Sequence, residues 1–355
     1  MKKTKYLSLF VLGFIFYSCG NNSEEKNAGF SLNIHQKDHT FQFQDTLKVS
    51  IANKNNREID SIVYFLKDEK LGKSASAEIF KSILDFKKLG NQTLSAEIHS
   101  EGDIIKLQQE IKLLSNKKPI TYTYEIVAAY PHDTRSYTQG LEFHNDTLYE
   151  STGQYGRSSL RKVDFKTGEV LMIHELSNNY FAEGLTILND KIYQLTWREG
   201  QGFIYDVNTF ENIGSFSYHD SKEGWGLCNS GEKIYKSDGT EKIWILNPET
   251  LAEEDFIQVV THASVVTKMN ELEWVEGKIY ANTYQKDGVA IINPETGAIE
   301  GLIDFRGLRK KLGNEDALDP LNDVLNGIAY NPNTKKLYVT GKDWDTLFEV
   351  KVKEK

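Results

Sequence analysis

The sequence predicts an all-β protein, a five-bladed β-propeller preceded by a small Ig-like β-sandwich. Three observations predict it. One phrase recurs five times between Gln139 and Val352, as QGLEFHNDTLYEST, EGLTILNDKIYQLT, WGLCNSGEKIYKSD, NELEWVEGKIYANT and NGIAYNPNTKKLYVT. Their tyrosines, Tyr149, Tyr193, Tyr235, Tyr280 and Tyr338, are 42 to 58 residues apart, the range in which each repeat is one supersecondary unit of a propeller or solenoid. Tight turns of shared chemistry (HND, LND, SGE and VEG in one set, FKTGE, NPETL and NPETGA in another) alternate with longer, varied connections. Finally, the last repeat supplies only three strand-like runs, while residues 121–130, TYTYEIVAAY, precede the first repeat without a partner. Pairing the two closes the ring and removes the open sheet edge.

Each repeat reads as four strands, the first as QGLEFH, TLYEST, SLRKVDF and VLMIHEL. In an up-and-down sheet the tight turns then share one end and the variable loops the other. The ring is expected over residues 121–355. Upstream, residues 29–115 carry about seven short, partly alternating runs, from FSLNI to IIKLQQEIKLL, separated by turn residues as in an antiparallel sandwich. SNKKP at 115–119 reads as the linker. His35 and His39 fall in strand-and-turn sequence and are expected as a surface pair.

The chain of 355 residues is 39% hydrophobic with a formal net charge of −9, ample for two cores. Phosphate binding needs clustered Lys and Arg, so nucleic acid is not an expected partner. Residues 1–19 read as a targeting segment: Lys2, Lys3 and Lys5, then LSLFVLGFIFY, then Ser18-Cys19-Gly20. As a helix the apolar run spans only about 17 Å, against a hydrocarbon core of about 30 Å. The segment resembles a bacterial lipoprotein signal, with Cys19 lipidated, residues 20–28 as a polar tether, and the protein exported to the cell envelope. Phe16 and Tyr17 are bulky for such a signal, so ordinary cleavage is the alternative. Cys228 is the one other cysteine. No intramolecular disulfide is expected, and Cys228 reads as a buried apolar thiol.

If the blades superpose, the residues opening the innermost strands gather at one axial mouth: Gln139, Glu183, Trp225, Asn270 and Asn326. Four residues past each repeat tyrosine the chain returns there, at Gly153, Trp197, Gly239, Tyr284 and Lys342. Two residues before the openers stand Tyr137, Phe181, Glu223, Lys268 and Val324. A channel lined by polar residues for closure alone is the plain alternative. Against it stands inequality, since a purely structural repeat would use similar side chains at equivalent positions. Within the repeats no histidine pair has zinc-ligand spacing, and no GxSxG, phosphate loop or CxxC occurs.

YPHDTRSYTQGLEF, LYESTGQYGRSSLRKVDFKTGEV, FAEGLTIL, LTWREG, EGWGL, NELEW and TGKDW, in this order, resemble the plant and bacterial type of glutaminyl-peptide cyclotransferase, a five-bladed propeller family. The resemblance covers roughly residues 122–352. It implies conversion of N-terminal glutamine to pyroglutamate with loss of ammonia, no zinc or other cofactor, and Glu183 as the proton-handling residue. Gln139, Phe181, Trp197, Trp225, Asn270 and Lys342 match other pocket positions. Tyr137 stands in place of Phe and Tyr284 in place of Trp, each keeping an aromatic face. The implied partners are peptides or proteins with a free N-terminal glutamine, with membrane contact through the lipid alone. Two other readings of the mouth are a calcium-dependent lactonase, using a carboxylate with the carbonyls of Gln139, Asn270 and Asn326, and a peptide-binding propeller without chemistry.

Overall fold

The computed structural model describes residue 27 and residues 29–355; Cys19, the 1–19 signal and nearly all of the 20–28 tether lie outside the described residues. Apart from three single-turn 3-10 helices, every regular element described is a strand. The protein is all-β.

Residues 30–114 make two facing sheets. One holds Phe30–Ile34, Thr46–Asn53 and Phe80–Ile83; the other runs in the order Thr40–Gln42, Asp103–Leu114, Gly90–Ser100, Ser61–Leu66, Glu69–Ser74. Alternation builds the core. In Thr46–Asn53, Leu47, Val49 and Ile51 point inward and meet Ile62, Tyr64, Leu94 and Ile98. The edge strand Glu69–Ser74, EKLGKS, has no apolar run to betray it and buries nothing fully. Its pairing with Ser61–Leu66 holds it in place.

This unit is docked on the rest of the chain. Val260 and Ala298 belong to its core. The Gln258 side chain accepts from the Asn91 backbone N–H at 3.0 Å and donates to its carbonyl at 3.0 Å. Lys88 pairs with Asp255.

Beyond it lie five groups of four antiparallel strands. The first three are separate sheets, starting at Thr138–His144, Ala182–Leu188 and Leu227–Asn229. The fourth and fifth groups start at Met269–Val275 and Leu325–Asn331 and share one eight-stranded sheet. The joining strand, Ile120–Pro131, pairs antiparallel with Thr346–Glu354 along most of its length. Its first residues also pair in parallel with Gly301–Ile303. The first strands of the five groups touch one another in a closed cycle, so they surround an axis.

These first strands are sheet edges, and their backbone donors need partners from the neighbouring group. Buried and half-buried glutamate carboxyls supply some of them. Glu142 accepts from Thr186 Oγ1 at 2.6 Å and Ile187 N–H at 3.1 Å, Glu271 from Ile328 N–H at 3.0 Å, and Glu273 from Tyr330 N–H at 2.7 Å. Close approach also demands Gly226, where a Cβ would stand 2.0 Å from the Asn270 carbonyl oxygen. The insertion before the fifth group forms 3-10 turns at Arg309–Lys311 and Glu315–Ala317. Leu308, Leu312 and Leu318 pack there with Phe305 and Trp344.

Candidate active site

Antiparallel pairing returns each second strand to the start of the first, and the chain continues that pairing one step past the strands. Gly153 N–H donates to the Tyr137 carbonyl at 2.8 Å, Trp197 to Phe181 at 2.9 Å, Tyr284 to Lys268 at 2.9 Å, and Lys342 to Val324 at 3.0 Å. The third group departs from this. Its first strand is only Leu227–Asn229, and Trp225 N–H donates to Ser237 instead, at 3.0 Å.

The result is a cavity of about 250 Å³ lined by Tyr137, Gln139, Phe181, Glu183, Trp197, Trp225, Asn270, Tyr284, Asn322 and Lys342. Nine of these are the residues singled out by repeat position and resemblance. Asn322 is the tenth. It sits in the insertion before the fifth group, which has no counterpart in other repeats, so periodicity could not reach it. Other mouth positions have supporting places. Asn326 stands behind Gln139, while Gly153 and Gly239 leave room for rings: a Cβ would lie 2.4 Å from Phe181 and 2.5 Å from Trp225.

Glu183 is buried, at 4% exposure. Gln139 Nε2 donates to its Oε1 at 2.9 Å. Asn326 Nδ2 in turn donates to Gln139 Oε1 at 3.0 Å and to the Thr138 carbonyl at 2.8 Å, which settles which end of the Gln139 amide faces the acid. The second carboxyl oxygen of Glu183, Oε2, has no hydrogen-bond partner among the described residues. Burial pushes this carboxyl well above the usual carboxylate range; Lys342 opposes the shift, and Glu223 and Glu199 add to it.

Lys342 is buried too, and forms no ion pair among the described residues. Its Nζ lies 4.6 Å from the Tyr137 ring centroid and 5.4 Å from that of Tyr284. Burial pulls the ammonium down to about 8 against the attraction of Glu183. Acid and amine thus approach one another in proton affinity across one small cavity.

Aromatic side chains wall it. Phe181 meets Tyr137 edge-on at 6.2 Å and Trp197 at 5.5 Å, and Trp225 meets Tyr284 edge-on at 5.6 Å. The Tyr137 hydroxyl donates to the Asn322 carbonyl at 3.4 Å. The Asn270 side-chain amide makes no hydrogen bond to described residues and is free for a ligand. Cys228 is fully buried elsewhere, and burial raises its thiol well above the ordinary value; it is no nucleophile. His35, bonded to Ser50, and His39, near Gln109, belong to no metal-ligating group among the described residues.

Fold and site together define an all-β ring protein with a single desolvated acid inside an aromatic pocket at one end of its axis. Residues 101–352 match the model of the glutamine cyclotransferase family. Glutaminyl-peptide cyclotransferase of Arabidopsis thaliana is 40% identical over 235 residues, which is 65% of this chain and 71% of that protein. The crystal structure of Myxococcus xanthus glutaminyl cyclase matches with a TM-score of 0.62 at 34% identity, covering 67% of this chain and 100% of that one. This chain belongs to the glutamine cyclotransferase family. Residues 29–100 fall outside the family match.

Proposed function

We propose that the protein is a glutaminyl-peptide cyclotransferase, an acyl-transferring enzyme that turns the N-terminal glutamine of peptides or proteins into pyroglutamate and releases ammonia. One observation carries the reading: Glu183 has one oxygen clamped by Gln139 and the other free, inside a desolvated cavity with aromatic walls. At about 250 Å³ the space is smaller than a drug-sized pocket of about 300 to 1,000 Å³. It admits one side chain and its terminus.

Nucleophile and electrophile belong to the same residue, so the protein's first task is to fold the glutamine side chain back on its own α-amine and hold it there. The walls formed by Phe181, Trp197, Trp225 and Tyr284 do this. An α-amine of pKa about 7.7 to 8.0 is partly neutral near pH 7.5. Its nitrogen bonds to the γ-amide carbon, becomes acidic, and gives a proton to Glu183 Oε2. The same oxygen passes that proton to the amide nitrogen, the C–N bond breaks, and ammonia leaves. A raised pKa serves both halves, making the carboxylate a better base and keeping the acid protonated until it meets the leaving group. Lys342 and the Asn270 amide are the donors for the developing oxyanion.

We further propose that the ring is a five-bladed β-propeller spanning 121–355 and that 29–115 is an Ig-like sandwich. The reaction is proposed to need no metal, since the cavity offers one carboxylate among amides, aromatics and a lysine, a donor set unlike a Zn²⁺ or Ca²⁺ cage. Export as a lipoprotein anchored through Cys19 is proposed on the residues of the N-terminus. The test is ammonia release from a glutaminyl dipeptide with and without EDTA. Equal ammonia and pyroglutamyl product in both arms is expected. Ammonia release abolished by EDTA would overturn the metal-free reading, EDTA-sensitive lactone hydrolysis without ammonia release would point to a calcium-dependent lactonase, and a ligand bound but unchanged to a peptide-binding ring.

A further inference from the structure

Trp197 and Trp225 come from different groups of strands, one at the end of a second strand and the other ahead of a first. Their ring nitrogens nevertheless share one acceptor. Trp197 Nε1 donates to Glu223 Oε2 at 2.8 Å, and Trp225 Nε1 donates to the same oxygen at 2.9 Å. The other oxygen accepts from Arg198 Nε at 3.0 Å, and the Arg198 guanidinium lies 3.7 Å from the Trp197 ring centroid.

The segment carrying Glu223 is itself anchored. Lys236, fully buried, donates to the Glu223 carbonyl at 3.0 Å and pairs with Glu253 at 3.1 Å. Glu253 Oε2 accepts from the Asp220 and Ser221 backbone N–H groups at 2.8 and 3.0 Å. A loop this well tied holds its carboxylate at a fixed point behind the two indoles.

We infer that Glu223 is a positioning residue that locks the two tryptophan walls at a set mutual angle and thereby sets how tightly the glutamine side chain is folded for attack. The inference rests on the cyclotransferase reading. An indole wall free to swing about its own side-chain torsions would leave the reacting atoms misaligned, and small misplacements are expensive in rate. Partial burial raises the Glu223 pKa, but the donors Trp225, Arg198 and Trp197 outweigh this and hold it below the ordinary value. Glu223 is therefore ionised, and with Glu199 it faces Glu183 as like charge, Lys342 being the opposite one.

Glu223→Ala and Glu223→Gln in the full chain test the idea, read by kcat, KM and the pH profile. Alanine removes both indole partners and should lower kcat/KM at least about tenfold, chiefly through kcat. Glutamine keeps an oxygen acceptor and should recover to within about threefold of wild type. Because it removes a negative charge, the acidic limb of kcat should move to lower pH, a shift that a merely structural role would not produce. Glu223→Ala within twofold of wild type, with an unmoved limb in Glu223→Gln, overturns the inference. If alanine prevents folding, seen as loss of a cooperative melt, the glutamine variant decides alone. Wild-type protein that releases no ammonia would sink the cyclotransferase reading instead. In that event Trp197→Phe and Trp225→Phe backgrounds still test the clamp, since Glu223→Ala must shift the emission of the remaining pocket tryptophan, and an unchanged spectrum refutes it.

Discussion

Two sets of carboxyls lie along the same axis and differ in what their oxygens meet. Glu142, Glu271 and Glu273, further along the first strands, are raised by burial as Glu183 is, Glu142 to about 7 and the other two well above the ordinary value. All three give oxygens to backbone or hydroxyl donors of the next strand group. Glu183 gives one oxygen to a side-chain amide and leaves the other in a cavity. A raised pKa therefore does not mark the reactive acid here. Among the described residues Glu271 also leaves one oxygen, Oε1, without a hydrogen bond, but it does not line the aromatic cavity. Glu142 and Glu273 line a second cavity with oxygens already given to the next strand group. Only at Glu183 do a free oxygen and the aromatic cavity coincide.

The same substitution at both places should separate them most sharply. Glu183→Gln is expected to lower kcat at least about 10²-fold with an unchanged melting temperature. Glu271→Gln, which keeps an oxygen for Ile328, should leave kcat within about twofold; a comparable loss of kcat there would erase the distinction. Glu271→Ala strands buried N–H groups and should cost about 1 to 3 kcal/mol of stability, read by denaturant unfolding.

Removing the opposing charge comes next in size. Lys342 lowers the Glu183 pKa, so Lys342→Met should shift the acidic limb of kcat upward, opposite to Glu223→Gln. It should also abolish any alkaline limb near the Lys342 value of about 8. A profile identical to wild type would remove Lys342 from the site's electrostatics.

A smaller effect is expected from Tyr284→Trp, which enlarges a wall already in edge contact with Trp225. KM for a glutaminyl peptide should change less than about tenfold with kcat held, the scale of a modest pocket-shape change. The smallest concerns Glu253, held at about 2 because Lys236 and the Ser221 and Asp220 donors outweigh its burial. Its folded-state pKa is depressed, so its contribution is present above the ordinary value of 4.5 and fades as pH falls toward about 2. Melting temperature should drop across that window, and less steeply in Glu253→Gln.

Much of the pocket was legible because repetition converts sequence spacing into geometry. Gln139, Glu183 and Asn270 share a repeat position, as do Trp197, Tyr284 and Lys342, and the cavity unites them. Asn322 was not legible, lying in an insertion without a repeat equivalent. The bonding of both indoles to Glu223 was hidden too, because spacing places a side chain near a mouth but does not say which way its polar edge turns. In the leading sheets, Glu69–Ser74 escaped notice because an exposed edge strand needs no apolar alternation. The parallel pairing of Ile120–Tyr122 with Gly301–Ile303 depends on contacts nearly two hundred residues distant, for which no local signal exists.

The strand Ile120–Pro131 carries a consequence for how the molecule is made. Its long antiparallel partner, Thr346–Glu354, leaves the ribosome more than two hundred residues later, roughly 10 to 40 s at about 5 to 20 residues per second. Until residues 301–303 and then 346–354 are made, both flanks of the strand lack their partners, and it hangs by five residues from the leading sheets, whose own strands all precede it. Closure of the circle is therefore among the last events of synthesis, set by the arrival of the chain's tail.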